Sequence, residues 1–398
     1  MSSERVSRRE FMREGLIAGE AAALTLLSGH RVLAGNRPLI IDKPSHGGPY
    51  KIGILGCGNR SKAHISSLNE VPEIEVAALC DIVPHKMDER AKLIRQGPEP
   101  RKHVDMEKML QQKDLDAVAV VVPNHLHKHG TIAALEAGKH VFCEKPMALT
   151  VADCNEMIAV SERTRKAIQI GTQRRHSNRY KKAVETIRKA SVGKILSSDI
   201  NSYRGDWRVP AEDEYPPGVE YWRLNQDKCG GVVYEMGAHI IDVNNWIFDS
   251  EPVTVVSLQG VNDLALRRRN STDHGGVLVR YANGALMNYG GNLYAYGPSG
   301  ADYFFAVNGT IKLGEGELEI NYGYARGFPT QEPLPKPVKM KLSGGDGTSD
   351  QWKYFARVLA GQADPYPDGY MGRQSIQICQ GAIVSAQEKT VVNVNELT

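Results

Sequence analysis

From residue 51 the chain alternates short, wholly apolar runs with segments whose apolar positions recur every three or four residues. Ile52-Gly53-Ile54-Leu55 has no polar position, as a strand covered on both faces requires. Lys62 to Leu68 follows with helical spacing, and Ile74 to Cys80 reads as a second strand. Ala117 to Val122 is a continuous, largely β-branched run, Lys128 to Ala137 a helix closed by Gly138, and His140 to Cys143 another short strand. Strands and helices alternating at this length predict a parallel sheet with helices on both faces and ligands at the carboxyl ends of its strands.

Past Gly193 the period shortens. Ile195 to Tyr203, Val253 to Gln259, Val277 to Tyr281, Ala285 to Tyr289 and Phe304 to Leu313 have strand character, with hairpin signals at Asn283-Gly284 and Asn308-Gly309. Asp350 to Leu359 and Arg373 to Lys389 read as closing amphipathic helices, the last returning to the first domain.

A chain of 398 residues is long enough for two cores. With 41% hydrophobic and 24% charged residues and a net charge of +3 in no single basic block, neither a nucleic-acid partner nor a membrane surface is implied. Six cysteines without CxxC or metal-ligand spacing read as free thiols. The N-terminus changes the picture more. Ser7-Arg8-Arg9-Glu10-Phe11-Met12-Arg13 precedes an apolar stretch, Gly15 to Leu27, too short and interrupted to span a bilayer, and Val32-Leu33-Ala34 suits a cleavage site. A twin-arginine signal, and hence export of the folded protein to the periplasm or beyond by the twin-arginine machinery, is expected.

Gly56-Cys57-Gly58-Asn59-Arg60-Ser61 stands where the first strand ends and the first helix begins. Glycines there permit a tight turn and let backbone N–H groups approach a pyrophosphate at the helix N-terminus, with Ser61 small enough to replace the third glycine. Asp81 closes the second strand, where a carboxylate accepts from the adenosine ribose hydroxyls. No arginine follows it to neutralise a 2′-phosphate, so NAD is favoured over NADP. The fold expected is an α/β Rossmann domain, a parallel doubly wound sheet, followed by an α+β domain with a large, mainly antiparallel sheet. The boundaries are a signal at 1–34, a linker at 35–49, the NAD-binding domain at 50–172, the substrate domain at 173–370 and the returning helix at 371–398.

Two further segments end strands in the same half: Pro123-Asn124-His125-Leu126-His127 and Glu144-Lys145-Pro146. The proline holds Lys145 extended, or its bond cis, which aims the ammonium at one spot. Glu235 and His239 are four apart, so on an α-helix they face the same way and the carboxylate can orient the imidazole. A histidine near neutral pH suits proton exchange with a hydroxyl. The pair also fits a metal, but no third ligand is near and no metal is expected. Between Arg204 and Arg223, Trp207, Tyr221, Trp222 and Arg223 suit sugar rings, or else pack an ordinary interface.

Together these residues resemble the Gfo/Idh/MocA family, relatives of glucose–fructose oxidoreductase and inositol dehydrogenase, over nearly everything after Pro49. Glu-Lys-Pro is the most family-specific element. The resemblance implies that Lys145 hydrogen-bonds the reacting hydroxyl beside the nicotinamide, that His239 is the acid/base and that Glu235 supports it. Many members carry Asp where this chain has the longer Glu235. Gly56, Gly58, Asn59, Arg60, Asp81, Pro123, Asn124, His127, Glu144, Lys145 and Gln173 are the expected cofactor residues. Arg174, Trp207, Tyr221, Trp222, Arg223 and His239 are those expected at the substrate. The activity implied is hydride transfer from a secondary hydroxyl of a sugar or glycoside to tightly bound NAD. The alternative is an NAD-dependent glycosidase working by transient C3 oxidation, elimination, water addition and re-reduction. A non-enzymatic binding protein with nicotinamide as a plug is the third reading. A homo-oligomer formed through the substrate-domain sheet is the expected assembly.

Overall fold

The computed structural model describes residues 41–397 apart from 208, 212–213, 263–268, 295–300, 315 and 324–333. The export signal at 1–34 and residues 35–40 of the linker lie outside the described residues.

The first half runs β1 (Tyr50–Leu55), α1 (Asn59–Leu68), β2 (Ile74–Cys80), α2 (Pro84–Ala91), β3 (Arg101–His103), α3 (Met106–Leu110), β4 (Ala117–Val120), α4 (His127–Glu136), β5 (His140–Glu144), α5 (Val151–Thr164) and β6 (Ile168–Gly171). Among the described residues its six strands form one parallel sheet in the order β3-β2-β1-β4-β5-β6. The order reverses between β1 and β4, so a crevice opens above their carboxyl ends. Burial explains the unbroken apolar runs: Ile52, Ile54, Ala117, Val118, Ala119 and Val120 are fully buried, as strands covered by helices on both faces must be.

The second half runs α6 (Asn178–Lys189), β7 (Ile195–Tyr203), α7 (Gln226–Cys229), a π-helical turn (Val233–Gly237), α8 (Ala238–Phe248), β8 (Pro252–Gly260), β9 (His274–Tyr281), β10 (Leu286–Asn292), β11 (Ala301–Ala306), β12 (Gly309–Gly314), β13 (Glu317–Tyr322), β14 (Val338–Lys341), α9 (Thr348–Leu359), α10 (Gly369–Glu388) and β15 (Val392–Asn393). Among the described residues nine strands form the second sheet, β14-β13-β12-β11-β7-β10-β9-β8-β15. Every pair in it is antiparallel except β7 with β10. The run from Phe304 to Leu313 is two strands, because Asn308-Gly309 turns the chain into the hairpin of β11 and β12.

Two helices tie the halves together. In α9, Thr348, Trp352, Phe355 and Leu359 recur at one face and are buried, with Trp352 stacked on Phe142 of β5 at 4.3 Å between ring centroids. The sequence grouped α9 with the second domain; its apolar face instead completes the core of the first. The last helix, α10, lies against both sheets. Its Gly372 sits so close to the first domain that a Cβ there would come within 2.9 Å of Ile170 and Met147, while Gly381 lies against Val255 of β8.

Candidate functional site

The glycine turn is built by contacts that only glycine allows. Gly56 has φ +100°, and a Cβ on it would lie 2.5 Å from the carbonyl oxygen of Val121. Gly58 then caps α1, with no side-chain cap, no acid in the first turn and nothing within 4 Å of where a Cβ would stand. The first turn of α1 thus lacks a side-chain cap and Gly58 leaves room beside it, which fits a pyrophosphate of a dinucleotide. The helix begins at Asn59, three residues before the Lys62 start expected from apolar spacing, so Asn59 and Arg60 belong to its first turn. Asp81 braces this turn: its carboxylate accepts from the Cys57 N–H at 2.7 Å and the Val83 N–H at 2.8 Å. Each oxygen keeps a lone pair for a ribose hydroxyl. Ser61 donates to the Gly58 carbonyl at 2.6 Å and accepts from Arg90 at 3.1 Å. Arg90, 3% exposed, is a supporting residue that the linear sequence did not single out.

Glu144, at the end of β5, is an anchor. Its carboxylate accepts from Arg60 Nε at 2.7 Å and from the Lys145 N–H at 3.0 Å, and lies 2.9 Å from His64 Nε2. His64 Nδ1 in turn accepts from the Trp352 indole at 3.0 Å, so the proton of a neutral imidazole sits on Nε2, toward Glu144. Burial pushes the His64 pKa down, which keeps that imidazole neutral. For Glu144 burial acts upward, but Arg60 and His64 outweigh it and hold the carboxyl well below its ordinary range. Sequence reading could not find His64 because its role depends on Trp352, 288 positions away.

Lys145, joined to Pro146 by a cis peptide bond, turns its ammonium to the Glu235 carbonyl oxygen at 2.9 Å. Burial lowers its pKa, with Glu235 and Glu144 acting in the opposite direction. His239, at the start of α8, has a buried Nδ1 without a hydrogen-bond partner among the described residues. Burial first, then the charges of Lys145 and Arg174, hold its pKa well below the ordinary histidine value. It is a neutral imidazole in a polar niche, the form that accepts a proton.

Glu235 differs from its expected place. It lies in the π-helical turn Val233–Gly237, just ahead of the helix that carries His239. Its oxygens are taken by Arg223 Nε at 2.8 Å and Asn124 Nδ2 at 2.7 Å. The carboxylate therefore locks Asn124 and Arg223 in place instead of orienting His239.

Other expected residues divide similarly. Asn124 spends its amide nitrogen on Glu235 and the Cys229 carbonyl, and Pro123 only starts the turn Asn124–Leu126. His127 is 1% exposed with its ring nitrogens 2.6 and 2.9 Å from the carbonyl oxygens of Pro146 and Val122, so it braces the wall of the crevice. Gln173 leaves Oε1 buried without a partner among the described residues, an atom that calls for a ligand. Arg174 lies over Tyr180 at 5.4 Å and within electrostatic reach of His239. Trp207 has Arg204 at 4.6 Å and Arg223 at 4.7 Å over its ring, and Arg223 also lies 4.2 Å over Trp222. With Arg204 on the same ring, Arg223 ties Trp207 to Trp222 and to the Glu235 carboxylate, so the half-buried ring is held in the wall of the cleft. Tyr221 lies 6.5 Å from Tyr215. Among the described residues no cluster of three or more His, Cys, Asp or Glu could hold a metal.

Residues 50–172 match the family model described as an oxidoreductase family with an NAD-binding Rossmann fold, and residues 184–394 match the model of that family's C-terminal alpha/beta domain. Inositol 2-dehydrogenase of Salmonella typhimurium is 32% identical over 207 residues, 52% of this chain and 56% of that protein. Myo-inositol 2-dehydrogenase of Thermotoga maritima is 27% identical over 239 residues, 59% of this chain and 66% of that protein. The matches thus span between about half and two thirds of these relatives' own length. In fold, the chain is similar to levoglucosan dehydrogenase in complex with NADH and levoglucosan, with a TM-score of 0.72 at 20% identity over 87% of this chain and 100% of that one. It is also similar to aldose-aldose oxidoreductase from Caulobacter crescentus, with a TM-score of 0.70 at 21% identity over 86% of this chain and 99% of that one.

Proposed function

The chain belongs to the Gfo/Idh/MocA oxidoreductase family, and from that premise we propose that it oxidises a secondary hydroxyl of a sugar or glycoside with a bound nicotinamide dinucleotide, NAD in preference to NADP. The observation that carries this reading is that the Lys145 ammonium and a neutral His239 lie within electrostatic reach of each other and of Arg60, in the first turn of the uncapped α1. The nicotinamide would supply hydride acceptance and return. His239 takes the hydroxyl proton as the C–H bond breaks. Lys145 stabilises the negative charge that forms on that oxygen, a preorganised cation at the point where charge develops. Arg174 adds a second positive charge near the imidazole and binds a substrate hydroxyl. Asp81 holds the ribose hydroxyls and disfavours a 2′-phosphate by like charge.

Support for the substrate class comes from relatives whose names specify inositol and sugar-derived substrates. On the outer face of the second sheet Leu258 is 78%, Leu278 56% and Phe305 42% exposed among polar neighbours such as Arg280 and Asn288, which supports a homo-oligomer formed through that sheet. Export through the twin-arginine route remains part of the proposal, on the strength of Arg8-Arg9 and the apolar stretch after them.

The test is Lys145→Ala assayed with cofactor binding retained. Turnover reduced by at least about a hundredfold is expected, and near wild-type turnover would sink the assignment. The same protein, as purified and without added NAD, is then offered aryl glycosides and free sugars. Reduction of the nicotinamide by free sugars supports the oxidoreductase; sustained aglycone release without net reduction would replace it with the hydrolytic cycle.

A further inference from the structure

The second domain reaches over the first at one place that the catalytic reading does not use. Lys86, in the first turn of α2, stands three residues past Val83, whose N–H the Asp81 carboxylate holds. Its ammonium lies 4.1 Å from the ring centroid of Tyr215, within the segment that joins β7 to α7. Tyr215 is half-buried and is backed by Tyr221, which leads into the turn carrying Trp222 and Arg223. Arg223 ends on Glu235. A continuous set of contacts thus runs from the ribose-binding acid, through Lys86 and Tyr215, to the catalytic niche.

We propose that Tyr215, clasped by Lys86, is a cofactor-binding residue contributed by the second domain, which covers the adenosine end of the dinucleotide beside Asp81 and slows its exit. The inference rests on the nicotinamide reading above. The part of the half-exposed ring that Lys86 and Tyr221 leave uncovered, beside the second-strand acid, offers apolar surface to a purine or ribose. The cation–π contact fixes the ring without consuming the hydroxyl. Burial of Tyr215, then Tyr221, and further along Glu214 and Asp81, push its phenol pKa up, which agrees with a ring lying close to Asp81. Because Tyr215 and Glu235 are linked through Arg223, a clasp that opens would also loosen the wall of the substrate cleft.

The experiment measures NAD dissociation from the full-length protein by stopped-flow displacement, and equilibrium affinity by fluorescence titration, for wild type, Tyr215→Ala, Tyr215→Phe and Lys86→Met. Tyr215→Ala is expected to release NAD roughly tenfold faster, with a matching loss of affinity, while Tyr215→Phe stays near wild type. Lys86→Met should fall between them. Unfolding midpoints within a degree or two of wild type would show that the effect is local. Wild-type release from Tyr215→Ala overturns the clasp, as does equal release from Tyr215→Phe and Tyr215→Ala, because the ring would then not be the covering group. A wild-type protein that binds no nicotinamide dinucleotide removes the functional reading itself, an outcome distinct from tight binding that ignores Tyr215.

Discussion

The carboxylate of Glu235 accepts from the Asn124 amide at 2.7 Å, so the acid of the second domain is tied to a strand end of the first. Arg223 completes the arrangement at 2.8 Å. For Glu235 burial acts upward on the pKa, but Lys145 and Arg223 outweigh it and keep the group ionised below its usual range.

Removing Arg223 leaves a buried carboxylate with one partner fewer. Arg223→Met is expected to cost about 3–5 kcal/mol near pH 7, read from urea unfolding. The lowered folded-state pKa means that this stabilisation is present above the ordinary glutamate value and is lost as pH falls through the folded one. The gap between wild type and variant should therefore shrink below about pH 4. A gap that is absent at pH 7, or that widens in acid, would show that Glu235 does not depend on Arg223.

Much of this arrangement was legible in the chain, and the limits have physical causes. The apolar runs Ile52–Leu55 and Ala117–Val120 announce buried parallel strands because they are unbroken, too short for a buried helix and bounded by turn signals. Gly56 and Gly58 announce their turn because the Val121 carbonyl leaves no room for a Cβ at Gly56. What the chain could not announce is pairing at a distance. Spacing places Glu235 beside His239, but its carboxylate is held by Arg223 and by Asn124, which lies 111 positions away. For Trp207 the sequence leaves a sugar platform and interface packing open, because it shows the ring and not the two arginines over it. His64 and Arg90 were invisible because a buried histidine or arginine in a helix has no local signature.

The acid limb of activity should lie well below the ordinary histidine range. His239 is depressed first by burial and then by Lys145 and Arg174, so it stays neutral and able to accept a proton as pH drops through about 6.5. The expected kcat/KM profile for hydroxyl oxidation is flat from neutrality to below about pH 6. In Arg174→Met, with one of those charges gone, the limb should move upward. An inflection at or above the ordinary value in wild type would mean that another group carries the proton.

Leu258, Leu278 and Leu286 stand exposed on one broad sheet, at 78%, 56% and 48%. If that face joins two copies, an added charge at its centre must be desolvated on association, which opposes the oligomer. Leu278→Arg is expected to convert the oligomer to a smaller species in sedimentation velocity, with the unfolding midpoint of the monomer little changed. An unchanged sedimentation coefficient, or a monomeric wild type, would remove this face from the assembly.

Asp81 serves the turn as well as the ligand, and the two roles separate by substitution. Asp81→Ala removes the acceptor for the Cys57 and Val83 N–H groups, so the glycine turn loosens and NAD affinity should fall by about tenfold or more. Relief of charge repulsion should not rescue NADP in that variant, because both dinucleotides need the turn. Asp81→Asn keeps the shape and one carbonyl acceptor while removing the charge. It should bind NAD a few-fold more weakly and NADP more tightly than wild type does, narrowing the ratio of the two affinities measured by fluorescence titration. If wild type already binds NADP as tightly as NAD, the carboxylate is not the discriminating group. If Asp81→Ala binds NAD as wild type does, the bonds to Cys57 and Val83 do not hold the turn.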